Sequence, residues 1–229
     1  MIQKKCRICR AQLLKVLNFN KVALSGSFLT SAQIKKEKKY PLTLMVCKSC
    51  KHIQIQNILN TNILFKHYYA WETGVSKTNM NLIKDLLALM RNKFLFNHKS
   101  KFLEIASNDG SLLKEVKTKY KSMVLGIDPA KNLKKLSLKK GITQIDDFFT
   151  MKKSENIKKK YGKFDIITAN HVCAHVEDLN DFFSGVQNLL KDEGLFVFEI
   201  SYRASVLKKK DLVLAFLSSL KYFFIYVIF

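Results

Sequence analysis

Arginine is scarce in this chain: Arg7, Arg10, Arg91 and Arg203 are the four set against a combined lysine and arginine count of 40. Readers of phosphates and bases favour arginine forks gathered on one face. The lysines here run from end to end, with short clusters at Lys35–Lys39, Lys158–Lys160 and Lys208–Lys210. A net charge of +22 on such a chain points to a solvated, lysine-biased surface rather than a nucleic-acid binder. Also missing is an apolar stretch behind the basic start MIQKKCRICR, so no secretory signal is expected. The compartment is therefore expected to be cytoplasmic and reducing, where paired cysteines read as metal ligands before disulfides. There is no internal repeat and no low-complexity linker.

What is present suffices for a core. Of the 229 residues 48% are apolar, enough for one medium domain and a small one. Residues 1–66 carry both CxxC pairs and little long periodicity. Residues 67–100 form a connecting stretch of aromatics and turn residues, and then a helical pattern at Met80, Ile83, Leu86, Leu87 and Met90. From 101 to 202 short apolar runs alternate with amphipathic segments. FLEIA (102–106), MVLGI (123–127), ITQI (142–145), FDIITA (164–169) and LFVFEI (195–200) read as strands. Helices are expected over 111–120, through Leu133 and Leu136, and through Leu179, Phe182, Phe183, Val186 and Leu190. Alternation of this kind predicts an α/β fold, a Rossmann-like parallel sheet with an N-terminal zinc-binding module. Residues 203–229 form a hydrophobic tail. Its last 18 residues fall just short of a membrane span and carry Lys221 near their middle, and a buried helix or strand pair fits equally well.

Cys6-x-x-Cys9 and Cys47-x-x-Cys50 form two knuckles 37 residues apart. Four thiolates close a tetrahedral site at about 2.3 Å per bond, which would be a structural zinc. A redox dithiol is the alternative for either pair alone. His52 is surplus to four sulfurs, and Cys173 reads as a small buried hydrophobe.

The stretch FLEIASNDGSLL ends a strand at Ile105-Ala106, turns through Gly110 and enters a helix, which is where a doubly wound sheet places its ligand. Asp128, 18 residues after Gly110 at the end of MVLGID, is placed to accept ribose hydroxyls. A single glycine in the turn rules out the pyrophosphate-cradling GxGxxG. A nucleoside without a pyrophosphate fits better, and S-adenosylmethionine is such a ligand.

EIASNDG, GIDPA, DIITANHVCAHV and FEISY stand in the order and spacing of one family, and the chain resembles the sugar 3-C-methyltransferases of deoxysugar biosynthesis across about residues 4–202. That resemblance implies an S-adenosylmethionine-dependent enzyme, a four-cysteine zinc module and a nucleotide-linked keto-sugar substrate. It implies that Glu104, Ser107, Asn108 and Gly110 face the methionyl end of the cofactor and Asp128 its ribose. Asp147 and Phe148 would flank the adenine, although Phe148 and Phe149 equally suit plain core packing. Asn170 would close the site.

His175 is the candidate base for taking a proton next to a keto group, or else a hydrogen-bonded structural residue. Tyr68, Tyr69 and Trp71 would line the sugar pocket, or form an aromatic seam between domains. Ala106 stands where the family usually has glycine, and His171 where asparagine is common. The resemblance ends at Tyr202, before the tyrosine–histidine–glutamate–histidine cluster that supplies the family's base. A truncated or frameshifted product with slow or no turnover is therefore expected. The alternative is a non-catalytic zinc- and cofactor-binding protein, associated with a membrane through its tail.

Overall fold

The computed structural model describes residues 2–26, 28–66, 69–94, 96–201 and 223–228. The chain divides into two compact units, one of residues 1–70 with 177–180, the other of 71–176 with 181–229.

The first unit is built on an antiparallel sheet, order β1-β2-β3, of β1 (Leu13–Ala23), β2 (Lys39–Cys47) and β3 (Ile53–Ile55). Its buried apolar cluster is small, consisting of Cys6, Leu13, Met45 and Cys47. Most of β1 is exposed on both faces, so its sequence lacks the alternation that marks a half-buried strand. A one-turn helix, α1 (Ser31–Ile34), is closed by a capping box between Thr30 and Gln33.

In the second unit α2 (Lys77–Lys93) begins at Ser76, whose Oγ accepts the Asn79 N–H. Ile83, Leu86, Leu87 and Met90 form its buried stripe. Then follow β4 (Lys101–Ile105), α3 (Ser111–Tyr120), β5 (Met123–Ile127), α4 (Lys131–Lys139), β6 (Gln144–Ile145), α5 (Met151–Tyr161), β7 (Phe164–Asn170), α6 (Leu179–Leu189), β8 (Leu190–Ser201) and β9 (Phe223–Ile228). The sheet order is β6-β5-β4-β7-β8-β9, parallel except for β9, which runs antiparallel to β8. This is the expected Rossmann-like α/β fold.

The chain starts mid-sheet at β4, moves out to β6 and returns to β7, so the strand order reverses between β4 and β7. That is the topological switch point. Leu103, Ile105, Leu125, Ile127, Ile167, Phe196 and Phe198 pack on one face with residues of α5 and α6. Phe102, Ile166, Leu195 and Val197 pack on the other with α2 and α3.

The strand expected over 142–145 is shorter, and α5, capped by Thr150 Oγ1 on the Lys153 N–H, was not anticipated. Of the hydrophobic tail, residues 223–228 pair as a strand, and residues 203–222 and 229 lie outside the described residues. No helix among the described residues is long and apolar enough to cross a membrane.

Candidate functional site

On the sheet face that meets α2 and α3, the strands start apolar and end polar. Side chains two residues apart share a face. Phe102 therefore gives way to Glu104 on β4, Val124 to Gly126 and then Asp128 on β5, and Ile166 to Thr168 and Asn170 on β7. Val197 gives way to Glu199 on β8. Register aligns these changes. Gln144 pairs with Gly126, Gly126 with Glu104, Glu104 with Thr168, and Asn170 with Glu199. The ladder carries on past β5, because Asp128 N–H donates to the Ile145 carbonyl at 3.0 Å. A polar row thus crosses the carboxyl ends of five strands at the switch point.

Several buried atoms in or just beyond this row have no hydrogen-bond partner among the described residues: Glu104 Oε2, Ser107 Oγ, both amide atoms of Gln144, Asp146 Oδ1, Thr168 Oγ1 and Asn170 Oδ1. Leaving one such group unsatisfied costs about 1–3 kcal/mol. Their concentration on one edge marks a place where polar atoms from outside the chain are received.

The turn from β4 into α3 is shaped by left-handed backbone. Ala106, Asn108 and Gly110 have φ of 58°, 51° and 74°. A Cβ on Gly110 would stand 2.7 Å from Ser137 Oγ, and one on Gly126 would stand 2.5 Å from Ser107 Oγ, so both glycines are required by close approach. Asp128 secures the turn. One of its carboxylate oxygens accepts the Asn108 N–H at 2.9 Å and the other the Ala130 N–H at 2.8 Å. Burial pushes its pKa up to about 6 despite those bonds. Burial, and then the charges of Asp109 and Asp128, raise Glu104 well above the carboxylate range.

Asn108 is committed elsewhere. Its Oδ1 accepts the Thr73 and Asp109 N–H groups, and its Nδ2 donates to the Trp71 carbonyl. Asp109, absent from the sequence expectations, accepts from Gly74 N–H at 2.9 Å and Lys140 Nζ at 2.6 Å. Burial would raise its pKa, but the Lys140, Ser111 and Gly74 hydrogen bonds outweigh it and hold the carboxyl low. Together these two residues fasten segment 71–74 to the turn. Trp71 is exposed there. Tyr69 lies in the first unit, its ring 5.8 Å from that of Phe65, and Tyr68 lies outside the described residues.

Asp147 forms an ion pair with Lys153 and accepts its neighbour's N–H. Phe148 and Phe149 are both half-buried; Phe149 packs against the core, edge-on to Phe182 at 5.5 Å, whereas Phe148 is outside that cluster. His175 ends a short 3₁₀ turn, Cys173–His175, and is exposed. His171 precedes that turn with φ of 55°, donating its N–H to the Glu199 carbonyl at 2.8 Å. Its Nε2 lies 3.4 Å from Glu199 Oε2. Burial pushes Glu199 up to about 7, while burial and then nearby His175 lower His171.

Sequence reasoning missed Gln144, Thr168, Glu199, Asp109 and Lys140. The polar residue two positions after the last apolar one in each strand was the available signal for the first three.

In the first unit the Sγ atoms of Cys6, Cys9, Cys47 and Cys50 all lie within 4.8 Å of one another, with closest separations of 3.4, 3.4 and 3.6 Å. Tetrahedral bonds of about 2.3 Å would place sulfurs about 3.8 Å apart, so the cluster could hold zinc with slight expansion. Each knuckle closes through a left-handed residue four places after its first cysteine, Arg10 at φ 61° and Lys51 at φ 60°. The Ala11 backbone N–H, and then the Cys47 and Cys50 thiols, bring Cys9 down to about 6.

Residues 6–65 match the family described as "Putative zinc binding domain", and residues 77–220 the family described as "Methyltransferase domain". The C-methyltransferase NovU of Streptomyces niveus is 27% identical over 223 residues, covering 96% of this chain and 52% of that protein. The chain therefore spans about half the length of this curated relative. Among solved structures, the plantazolicin methyltransferase BpumL in complex with SAH is 15% identical, with a TM-score of 0.47 over 57% of this chain and 50% of that one. Magnesium protoporphyrin IX methyltransferase (ChlM) from Synechocystis PCC 6803 with bound SAM is 12% identical, with a TM-score of 0.44 over 55% and 60%.

Proposed function

The chain belongs to the methyltransferase domain family, and from that premise we propose that it is an S-adenosylmethionine-dependent C-methyltransferase acting on a nucleotide-linked keto-deoxysugar. The observation that supports this most is the polar row, with its unpartnered buried atoms gathered at the switch point. When bound, the cofactor supplies an electrophilic methyl group on a sulfonium.

The residues present suit such a ligand. Each Asp128 oxygen already accepts one N–H and keeps a second lone pair for a ribose hydroxyl. Glu104 is a buried carboxyl beside two other acids, an environment that favours a cationic ligand over a neutral one. Ser107 and the Gly110 turn would border the methionyl end. Asn108, its side chain held by the Trp71 and Thr73 backbone, would act by positioning that segment. Phe148 would flank the adenine. Asp147 is held by Lys153, so the buried Asp146 oxygen is the better polar contact there. Asn170 would close the site, and Trp71 and His175 would meet the sugar. Cys6, Cys9, Cys47 and Cys50 would hold one zinc with no open position, a structural role.

Calorimetry with S-adenosylmethionine or S-adenosylhomocysteine tests the cofactor. Binding is expected, weakened by about 1.5–3 kcal/mol in Asp128→Ala through loss of charged hydrogen bonds. Equal affinity in the variant overturns the ribose assignment, and no binding by the parent overturns the function. The sugar is tested by transfer of labelled methyl to a nucleotide-linked 4-keto-6-deoxysugar.

A further inference from the structure

We propose that Asp109 and Lys140 are positioning residues that lock residues 71–74, as a strap, onto the cofactor turn, so that binding the cofactor also sets Trp71 in place for the substrate. The inference rests on the methyl-transfer reading and adds a coupling between its two ligands.

The strap has no apolar anchor of its own. None of residues 71–76 is buried, and Trp71 and Val75 are 57% and 78% exposed. A segment of this kind keeps one position through its polar contacts. Three hydrogen bonds tie it to two adjacent residues of the turn. Asn108 Oδ1 accepts the Thr73 N–H at 3.0 Å, and Asn108 Nδ2 donates to the Trp71 carbonyl at 3.0 Å. Asp109 Oδ2 accepts the Gly74 N–H at 2.9 Å.

Asp109 divides its carboxylate between two tasks. Oδ1 accepts the Ser111 N–H at 3.2 Å, a local bond that serves the start of α3. Oδ2 is given to Gly74 and to Lys140 Nζ, the latter at 2.6 Å. Lys140 Nζ also donates to Ser111 Oγ at 2.7 Å, which joins α4, the turn and the strap in one set of contacts. The Asp109 side chain is 3% exposed, and a buried ion pair adds little net stability while fixing one arrangement. Gly74 is fitted to this grip. A Cβ there would run into Ser111 Oγ and stand 2.8 Å from Asp109 Oδ2.

The same turn meets the cofactor. Asn108 donates its backbone N–H to Asp128, the carboxyl proposed to hold the ribose, while its side chain grips the strap. A ligand that orders the turn therefore orders the strap. By linkage, whatever loosens the strap weakens that ligand. An indole fixed in this way offers a rigid aromatic surface to a sugar ring.

Trp71 is the single tryptophan of the chain, so its fluorescence reports the strap directly. In the full chain, S-adenosylhomocysteine should shift the Trp71 emission and reduce its quenching by acrylamide. Lys140→Met and Gly74→Ala remove no group proposed to touch the cofactor, yet both should abolish that response. Both should also weaken S-adenosylhomocysteine in calorimetry by about 5-fold, the low end of coupling between sites. Lys140→Arg, which keeps the charge and its donors, should retain the response. Circular dichroism separates these effects from unfolding.

If Asp109 and Lys140 served the start of α3 alone, Gly74→Ala would respond as the parent does, and that result overturns the proposal. So does a Trp71 signal indifferent to saturating S-adenosylhomocysteine in a parent that binds it. With no ligand present, the Thr73 and Gly74 amides should be protected from exchange in the parent and unprotected in Lys140→Met. Equal exchange overturns the lock. Failure of the proposed function is a separate result, absence of S-adenosylhomocysteine binding by the parent, and it removes the coupling as well.

Discussion

Two residues in the site carry a conformational cost that their side chains do not explain. Ala106 and His171 sit at φ of 58° and 55°, a left-handed backbone that glycine and asparagine tolerate better. Ala106→Gly should therefore raise stability by about 1 kcal/mol, read from urea denaturation midpoints. An unchanged or lower midpoint would mean that the Ala106 methyl packs well enough to offset the strain.

The raised acids predict a pH dependence whose sign is fixed. Asp128 at about 6 and Glu199 at about 7 bind protons more tightly folded than unfolded. Their contribution is full below their ordinary values of 3.8 and 4.5 and is lost as pH rises through 6 and 7. At 1.36 kcal/mol per pKa unit each loss is about 3 kcal/mol. Melting temperatures of the ligand-free chain should fall between pH 4 and 8, with a shallower fall below pH 6 in Asp128→Asn. A profile identical to the parent's would remove Asp128 as the cause. Glu104 adds a prediction for binding. A cation beside it lowers its pKa, so cofactor binding should release a proton, detected as a buffer-dependent calorimetric enthalpy. Proton uptake would contradict that placement.

Among the elements, α5 shows why local chemistry and long-range packing need separate reading. Its sequence, MKKSENIKKKY, is so rich in lysine that its buried positions reduce to Ser154 and Ile157. Periodicity alone offers little for such a helix. Its start is nevertheless local, with Thr150 Oγ1 on the Lys153 N–H. Thr150→Ala should cost about 1 kcal/mol in thermal denaturation, the usual value of a lost N-cap. The loop from β4 to α3 behaves oppositely. Its SNDG residues advertise a turn, but what they hold is distant in sequence: segment 71–74 through Asn108 and Asp109, and α4 through Lys140.

At the level of the whole molecule the two units differ in what stabilises them. The second has two extensive apolar clusters, one on each face of its sheet. Among its described residues the first has one buried apolar cluster of four, two of them cysteines of the metal cluster. Folding of the first unit should therefore depend on zinc, because metal binding supplies the free energy its small core lacks. Chelation, or Cys47→Ser, should abolish amide protection across residues 2–66 while leaving β4, β5 and β7 protected in hydrogen exchange. Retained protection in both regions would show the metal to be dispensable.

Strand and helix periods, the paired CxxC knuckles and the Asp128 spacing were legible in the chain, because each depends on neighbours within a few residues or on one repeated distance. The long strand β1 was not, since a strand exposed on both faces leaves no alternation to read. Nor was the polar row legible. Gln144, Glu104, Thr168 and Glu199 are scattered over more than 90 residues of sequence, and parallel register alone sets them side by side. The separation of Asn108 and Asp147, already held by the chain, from Glu104, Asp146 and Asn170, which keep unpartnered buried atoms, was likewise decided by tertiary structure. It depends on which hydrogen bonds the fold completes and which it leaves open.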